Sequence, residues 1–342
     1  MNLRLPSLAA AVVLVVACGT KNSSPAAAAG DATFTPAELA VFAQLPAQVE
    51  PKGGAPLSDA KIALGRALYY ENVLSKSHDM SCNSCHPLNA WGADGRRLSL
   101  GHDGKPGGRN APTVYHAAGH FAQFWDGRAA DVEAQAKGPI LNPVEMGMSD
   151  TAAVLAHLRG SAAYVASFRG AFPGDKQPVS YDNVGNAIGA FERRLLTPAR
   201  WDKFLAGDTA ALTLEERKGL RTFVNTGCQS CHLGAYMGGD RFVKAGQSIA
   251  WFSQADSGRF AVTKDPNDLF FFKVQSLRNI EKTGPYFHDG SVASLNEAVR
   301  LMAHHQLGKE LAPDQVQGIV TFLGSMTGDL PLQYIGFPQQ PK

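Results

Sequence analysis

The 342-residue sequence has almost no net charge, since its 32 lysine and arginine residues are balanced by 30 aspartate and glutamate residues. Proteins that bind nucleic acids or other polyanions usually carry a marked basic excess, so we expect no nucleic-acid partner. Long apolar runs are also missing beyond the N-terminus, and no later segment is expected to cross a membrane. Hydrophobic residues make up 44% of the chain, which is enough to bury the cores of two ordinary domains.

The first seventeen residues, MNLRLPSLAAAVVLVVA, combine an arginine with a short apolar run, which is typical of an export signal. The next residue completes a VVAC segment that is similar to a bacterial lipobox, in which Cys18 receives a diacylglycerol after cleavage. Ordinary cleavage beside a stray cysteine is the alternative. We expect residues 18–47 to be a lipid-anchored, flexible tether. Gly19, in place of the aspartate associated with inner-membrane retention, favours the outer membrane, so the expected location is the periplasm with a membrane anchor of lipid only.

Cysteine is scarce as well, and four of the five cysteines lie in two Cys-x-x-Cys-His pentads: Cys82, Cys85 and His86, then Cys228, Cys231 and His232. In such a pentad the two thiols attach to the vinyl groups of a haem and the histidine becomes a ligand of its iron. A redox CxxC pair and half of a zinc site are the alternatives. Two pentads in an exported chain favour two c-type haems.

The pentads start at residues 82 and 228, about a domain length apart. Helical patterns dominate the chain, at 58–71, 149–160, 161–171, 181–196, 213–226 and 313–326. Extended candidates are few: FAVTK at 260–264 and FFFKVQSL at 270–277. We therefore predict a mainly α, loop-rich fold of two c-type cytochrome-like domains, residues 48–195 and 196–332, each wrapping one haem. Residues 333–342 are expected to be a C-terminal tail.

The remaining iron ligands cannot be chosen by spacing alone, because the chain has ten histidines and seven methionines. Met302 lies in LNEAVRLMAHH, where the residues alone favour a core methionine on the apolar face of a helix. His102 lies in a glycine-rich stretch, where a solvated loop histidine is the simple interpretation.

Several longer stretches resemble the bacterial di-haem cytochrome c peroxidases, from about residue 48 to 330. They are SCNSCH, SLGHDGKPGGRNAPTVY, AQFWDGRAADVEAQAKGPI, NPVEM, GCQSCH and LRNIEKTGPYFHDGSVASLNEAVRLM. The resemblance implies that residues 48–195 hold the peroxidatic haem and residues 196–332 the electron-transfer haem.

The resemblance also implies roles for single residues. His102 matches the distal ligand of the peroxidatic haem, opposite His86, and Met302 matches that of the electron-transfer haem, opposite His232. Glu145 matches the catalytic carboxylate and Gln135 its companion in the pocket. Trp125 is similar to the tryptophan between the two haems, and the residues that match a calcium site at the domain interface are Asn110, Thr283 and Pro285.

The implied activity is the reduction of hydrogen peroxide to water with electrons from a small cytochrome c or cupredoxin. Glu145 would move the proton between the two peroxide oxygens. Two alternatives stay open: a di-haem oxidase that acts on a partner protein, which in related enzymes has a tyrosine at the Met302 position, and an electron carrier without catalysis. The sequence leaves the oligomeric state open, a homodimer included.

The same resemblance suggests why His102 lies among four glycines between residues 101 and 108. Glycine permits large backbone changes at low steric cost. We expect His102 to be a removable ligand, released from the His86 iron when the distant Met302 haem is reduced with calcium at the domain interface.

Overall fold

The structure is a computed structural model of the chain, and it describes residues 32–51 and 57–341. The predicted export signal and the lipidation site Cys18 lie outside the described residues.

The described residues are mostly helical and rich in loops, as predicted. The α-helices are α1 (Pro36–Leu39), α2 (Asp59–Tyr69), α3 (Cys82–Cys85), α4 (Val132–Leu141), α5 (Thr151–Gly160), α6 (Ala162–Ala171), α7 (Tyr181–Glu192), α8 (Arg200–Leu205), α9 (Leu214–Thr226), α10 (Phe260–Thr263), α11 (Leu295–Leu307), α12 (Pro313–Gly324) and α13 (Leu332–Ile335). The strands β1 (Phe242–Lys244) and β2 (Phe271–Lys273) pair antiparallel, with Val243 opposite Phe272. Single 3₁₀ turns occur at Asn72–Leu74, Leu88–Ala90, Ala117–Gly119, Thr209–Ala211, Cys228–Ser230, Pro266–Asp268 and Ile280–Lys282.

Side-chain hydrogen bonds help to set where the helices begin. At the start of α9, the Thr213 hydroxyl accepts from the Glu216 N–H, and the Glu216 carboxylate accepts from the Thr213 N–H at 2.8 Å. This confirms the capping box that the sequence predicts at the start of this helix. α7 ends at Glu192 rather than at residue 196, because the Arg194 and Leu195 N–H groups donate three residues back, to the carbonyls of Phe191 and Glu192, instead of continuing the helical pattern.

The extended interpretation of residues 260–264 was wrong. Phe260–Thr263 is the single-turn helix α10, in which the Lys264 N–H donates to the Phe260 carbonyl at 3.0 Å. A helical turn pairs its own backbone groups, so this short segment needs no neighbouring strand. Of the predicted stretch 270–277, only Phe271–Lys273 forms a strand.

Two large apolar clusters carry most of the core. The first joins α2, α4, α5, α6 and α7, and Cys82 packs against it; the second joins α8, α9 and α12, and Cys228 packs against it. In each cluster the helix that precedes the pentad crosses another helix at a glycine. A Cβ on Gly65 would lie 1.8 Å from the Ala187 carbonyl oxygen of α7, and one on Gly219 would lie 1.9 Å from the Gly318 carbonyl oxygen of α12. Only glycine allows these backbones to approach so closely.

A third, smaller cluster covers one side of α11. It contains Trp251, Tyr286, Val292, Ala298 and Leu301, and Met302 packs against it. Met302 is therefore on the apolar face of its helix, as the sequence indicates.

The C-terminal residues return to the first cluster rather than ending at the second. Ile335 of α13 is buried there, and its carbonyl accepts a hydrogen bond from the Tyr70 hydroxyl at 2.5 Å. The Tyr334 ring stacks on Phe191 at 5.1 Å, and its hydroxyl donates to the Phe191 carbonyl at 2.7 Å. The segment from residue 330 onwards thus ties the end of the chain to α2 and α7.

Within the described part of the chain, no helix combines the length and the apolar character that crossing a bilayer requires.

Replacing Tyr334 with alanine should lower the free energy of unfolding by about 3 kcal/mol, because it removes an aromatic ring from the first cluster together with its hydrogen bond. Leu332, two residues away and 67% exposed, is the matched control, and its replacement with alanine should change stability by less than about 0.5 kcal/mol. Urea denaturation of the two variants measures the difference. Equal stabilities would show that the C-terminal segment is only loosely attached.

Candidate haem and peroxide site

The first pentad is folded as one short helical turn. α3 contains Cys82 and Cys85, and the His86 N–H donates to the Cys82 carbonyl at 3.0 Å, so the three side chains leave the same turn. The His86 Nδ1 lies 3.2 Å from the Gly92 carbonyl oxygen, which makes Nδ1 the protonated nitrogen and leaves Nε2 with its lone pair. The Tyr69 hydroxyl donates to the His86 carbonyl at 2.7 Å and fixes the turn on α2.

The second pentad repeats this arrangement with different partners. α9 ends at Thr226, and the next residue, Gly227, has a φ of 100° that redirects the chain into the 3₁₀ turn Cys228–Ser230. The His232 N–H donates to the Cys228 carbonyl at 3.0 Å, and its Nδ1 lies 3.0 Å from the Met237 carbonyl oxygen. Nε2 of His232 is again the nitrogen with a free lone pair.

The donor set of both pentads fits a covalently attached haem. None of the four pentad cysteines is used in a disulfide, so each sulfur can form a thioether. Burial raises the pKa of Cys82 to about 12 and that of Cys228 to about 12, whereas redox-active CxxC cysteines need a lowered pKa. Burial also lowers the pKa of His86 and of His232, which keeps both imidazoles neutral and able to bind a metal. In residues 32–51 and 57–341, no group of three or more His, Cys, Asp or Glu side chains is placed so that it could hold one metal ion. The described residues therefore offer no ligand set for the zinc site considered above.

Glu145 lies beside the first pentad. The next residue, Met146, belongs to the apolar cluster against which Cys82 packs. The charge of Glu145 adds slightly to the raised pKa of both thiols, after burial and after the charge of Glu192 at Cys82 and of Asp94 at Cys85. Burial likewise raises the pKa of Glu145, while the charge of Arg128 and a hydrogen bond from the Asn142 amide to Oε1, at 2.7 Å, oppose that shift. The site therefore holds a partly buried carboxyl group whose orientation is fixed by a neighbouring amide.

His102 lies on the loop that adjoins Glu145. The His102 N–H donates to the Glu145 carbonyl at 2.8 Å, and its Nε2 lies 3.2 Å from the Pro143 carbonyl oxygen. A Cβ on Gly147 would lie 2.3 Å from the His102 ring, so this ring occupies the space that a side chain at residue 147 would need. The structure thus brings His102 and Glu145 together, although no contact joins the His102 and His86 side chains among the described residues.

Gln135 is half-buried in the middle of α4. The Glu145 segment folds back onto the end of this helix, where the Met146 N–H donates to the Pro139 carbonyl at 3.1 Å and the Met148 N–H to the Ile140 carbonyl at 2.9 Å. Gln135 and Glu145 are therefore carried by adjoining backbone, and no described contact joins their side chains.

Trp125 connects the first half of the sequence with the second. Its Nε1–H donates to the Asn110 carbonyl at 2.9 Å, and its own carbonyl accepts from the Lys273 N–H at 2.7 Å. The Asn110 N–H donates to the His288 carbonyl at 2.8 Å, and the His288 ring lies 6.3 Å from the Trp125 ring. Trp125 and Asn110 thus meet the loop that also carries Thr283 and Pro285, although these two make no described contact with Asn110.

Sequence reasoning missed the charged residues around Trp125. Arg109 donates to both oxygens of Asp256, at 2.6 and 2.8 Å, and to Asp126 at 2.6 Å. Arg109 and Asp126 flank Asn110 and Trp125 in the sequence, which was the available signal. Asp256 could not have been found in this way, since its partner is 147 residues distant.

The chain is similar to known proteins over most of its length. A family model described as di-haem cytochrome c peroxidase matches residues 59–210. The cytochrome c551 peroxidase of Pseudomonas aeruginosa is 44% identical over 298 residues, covering 85% of this chain and 86% of that protein. The cytochrome c551 peroxidase of Nitrosomonas europaea is 43% identical over 272 residues, covering 78% of this chain and 80% of that protein. The chain belongs to the di-haem cytochrome c peroxidase family.

A solved structure supports the fold independently. A MauG-like protein associated with microbial copper homeostasis superposes with a TM-score of 0.76 at 28% identity, covering 86% of this chain and 97% of that protein. Membership of the di-haem peroxidase family means that the chain is a haem oxidoreductase with two haems, and the two pentads are the residues fit to attach them.

Replacing Arg109 with methionine should lower the free energy of unfolding by about 2 kcal/mol, because Asp256 loses its charged hydrogen-bond partner, while Asp126, whose side chain is only 6% exposed, keeps Arg128. Lys218, paired with Glu215 on the surface of α9, is the control, and its methionine variant should change stability by less than about 1 kcal/mol. Thermal denaturation at constant pH distinguishes the two. A similar small loss for both would show that the Arg109 network is as solvated as a surface ion pair.

Proposed function

We propose that this di-haem peroxidase reduces hydrogen peroxide to two waters, taking two electrons from a small cytochrome c or cupredoxin and two protons from solvent. The observation that carries the proposal is the half-buried Glu145 carboxyl beside the first pentad, oriented by Asn142. The relatives described above, both named as cytochrome c551 peroxidases, support the same reaction.

Glu145 has the features of a group that moves a proton within the site. Its raised pKa lets it exist as a carboxylic acid as well as a carboxylate, and its bond to Asn142 holds the carboxyl in one orientation. In our proposal it accepts a proton from the nearer peroxide oxygen and returns one to the leaving oxygen, so that water leaves instead of hydroxide. When bound, the haems supply the one-electron redox chemistry and the open coordination position for peroxide. Gln135, on the adjoining helix, would be a second polar group in the pocket.

Each half of the sequence would hold one haem. The haem in residues 48–195 would react with peroxide, and the haem in residues 196–332 would receive the electrons. The packing of Cys82 on the first apolar cluster and of Cys228 on the second supports two haem domains. Met302 opposite His232 would suit the haem that receives electrons, because a methionine ligand raises the reduction potential. Trp125 is hydrogen-bonded to residues in both halves of the sequence, and it would be the path of the electrons between the two haems.

His102 would be the removable ligand opposite His86. The hydrogen bond of its Nε2 to the Pro143 carbonyl indicates how the released imidazole could be held, since a ring bound there cannot use the same nitrogen for iron. The glycine-rich loop supports such a movement, with Gly104 at a φ of 75° and open space around its α-carbon. Reduction of the second haem would trigger the release.

A calcium ion would hold the interface near Asn110, Thr283 and Pro285. All side-chain hydrogen bonds described for Asn110 use its amide nitrogen, towards the carbonyls of Arg96 and Arg97, which leaves the amide oxygen as a potential ligand. Calcium prefers such oxygen donors, and because Asn110, Thr283 and Pro285 supply no carboxylate, water would complete the set.

The location proposed is the periplasm, with Cys18 carrying a lipid anchor in the outer membrane and residues 18–47 acting as the tether. This part of the proposal rests on the sequence of the first 47 residues alone.

Replacing Glu145 with glutamine should leave the fold and both haems intact but slow peroxide turnover by about 10²- to 10⁴-fold, since the amide cannot take up the proton. Glu215, an exposed carboxylate on α9, provides the control, and its glutamine variant should turn over normally. Stopped-flow mixing of the half-reduced protein with peroxide measures both. Full activity in the Glu145 variant would refute the catalytic proposal, and no reaction of the unmodified protein would favour a plain electron carrier.

Replacing Gly147 with alanine should change the ligation of the first haem, because its methyl group would overlap the His102 ring. Gly174 is a matched control, since it also has a positive φ, of 91°, but open space around its α-carbon. Alanine there adds backbone strain without touching His102. Absorption and EPR spectra of the half-reduced protein report whether the first haem is five- or six-coordinate. Identical spectra for the two variants would contradict the released position of His102 next to Gly147.

A further inference from the structure

Lys273, at the end of β2, is a lysine that the proposed reaction does not yet explain. It is only 4% exposed, and among the described residues the contacts of its amine are the Ala122 carbonyl and the His120 ring rather than a carboxylate. Lysine is seldom fully buried without an ionic partner, because its ammonium group loses the solvation of water. Burial lowers the pKa of Lys273 to about 7, and the charge of Asp126 opposes this shift. A methionine would fill a similar volume without this cost.

Lys273 has two hydrogen-bond donors, its side-chain amine and its backbone N–H, and both contact one short segment, residues 120–126. Its amine donates to the Ala122 carbonyl at 2.9 Å and lies 3.3 Å from the His120 Nδ1. Its backbone N–H donates to the Trp125 carbonyl at 2.7 Å. One residue of the second half therefore fixes the segment that carries Trp125 at three points.

His120 gives the lysine amine a rigid acceptor. The His120 ring is buried and lies edge-to-face against the Tyr236 ring, with 5.7 Å between the ring centroids. Gly239 leaves room for it, since a Cβ there would lie 2.3 Å from the imidazole. The Phe121 N–H donates to the Gly239 carbonyl at 2.8 Å, and the Gly239 N–H in turn donates to the Val274 carbonyl at the same distance. The segment is thus held against β2 by side chain and backbone together.

We propose that Lys273 is a positioning residue for electron transfer between the haems, holding the Trp125 segment so that the indole keeps its place between the two halves. This inference rests on the proposed role of Trp125. In each transfer the reduced haem of the second pentad loses one electron and the oxidised haem of the first pentad gains it. Lys273 itself neither gains nor loses an electron, and acts only through the position of Trp125.

The test compares Lys273→Met with Lys264→Met in the holoenzyme. Lys264 is exposed, and its amine donates to one carbonyl within its own helical turn, so its variant should behave like the unmodified protein. After rapid photoreduction, absorbance changes follow the electron from the second haem to the first. Lys273→Met should slow this transfer by about ten- to a hundredfold, the order expected when a positioned group moves by up to about 1 Å. Hydrogen exchange of residues 120–126 should rise in Lys273→Met only.

A double-mutant cycle with Trp125→Phe separates positioning from general damage. If Lys273 acts through Trp125, the double variant should be no slower than Trp125→Phe alone. Additive slowing, or a normal rate in Lys273→Met, would overturn the proposal for Lys273 and keep that for Trp125. A normal rate in Trp125→Phe would instead refute the Trp125 path, and the Lys273 proposal with it.

A further variant covers the case in which Lys273→Met does not assemble with two haems. Lys273→Gln keeps a side-chain donor for the Ala122 carbonyl, and it should slow transfer less than the loss of Trp125 does. Transfer as slow as in Trp125→Phe, with unchanged hydrogen exchange at residues 120–126, would count against positioning.

Discussion

Both haem sites depend on one constraint. Two cysteine sulfur atoms and one imidazole must project from the same face of a short turn, so that all three can reach one haem. A helical turn of four residues provides that spacing, but it leaves the imidazole free to rotate. In this chain the rotation is prevented by a backbone carbonyl, that of Gly92 for His86 and that of Met237 for His232. Each bond selects the tautomer in which Nε2 keeps its lone pair. The loops after the pentads are therefore as important to the sites as the cysteines.

The two halves are alike in the pentad and in the helix before it, and they differ in the residues that follow. Each pentad follows a helix that crosses its partner helix at a glycine, Gly65 in one half and Gly219 in the other, where backbones touch. Past the first pentad the chain supplies a half-buried carboxyl, Glu145, and a loop histidine, His102. The second half has an apolar cluster that supports Met302. A polar pocket suits proton transfer and an apolar one suits an electron carrier, so the shared frame can serve two different purposes.

Much of the helical structure could be predicted from the sequence, because caps and apolar periodicity act over a few residues. The capping box of Thr213 and Glu216 shows this. Residues 260–264 show the limit, since they were expected to be extended, but their backbone closes a single helical turn in which the Lys264 N–H donates to the Phe260 carbonyl. The C-terminal segment was expected to be a tail, and nothing in its composition indicates that Tyr334 stacks on Phe191, far earlier in the chain. Such contacts depend on how the two clusters are packed.

The sequence by itself determined the chemistry: thiols and imidazoles in two pentads, with family-like stretches around Glu145, Trp125 and Met302. These are properties of neighbouring residues, so they can be read without a fold. Only the tertiary structure decided which distant groups meet, including Arg109 with Asp256 and Lys273 with the segment of Trp125. The physical reason is that burial turns an ordinary lysine or arginine into a group that must find specific partners, and those partners lie about 150 residues away along the chain.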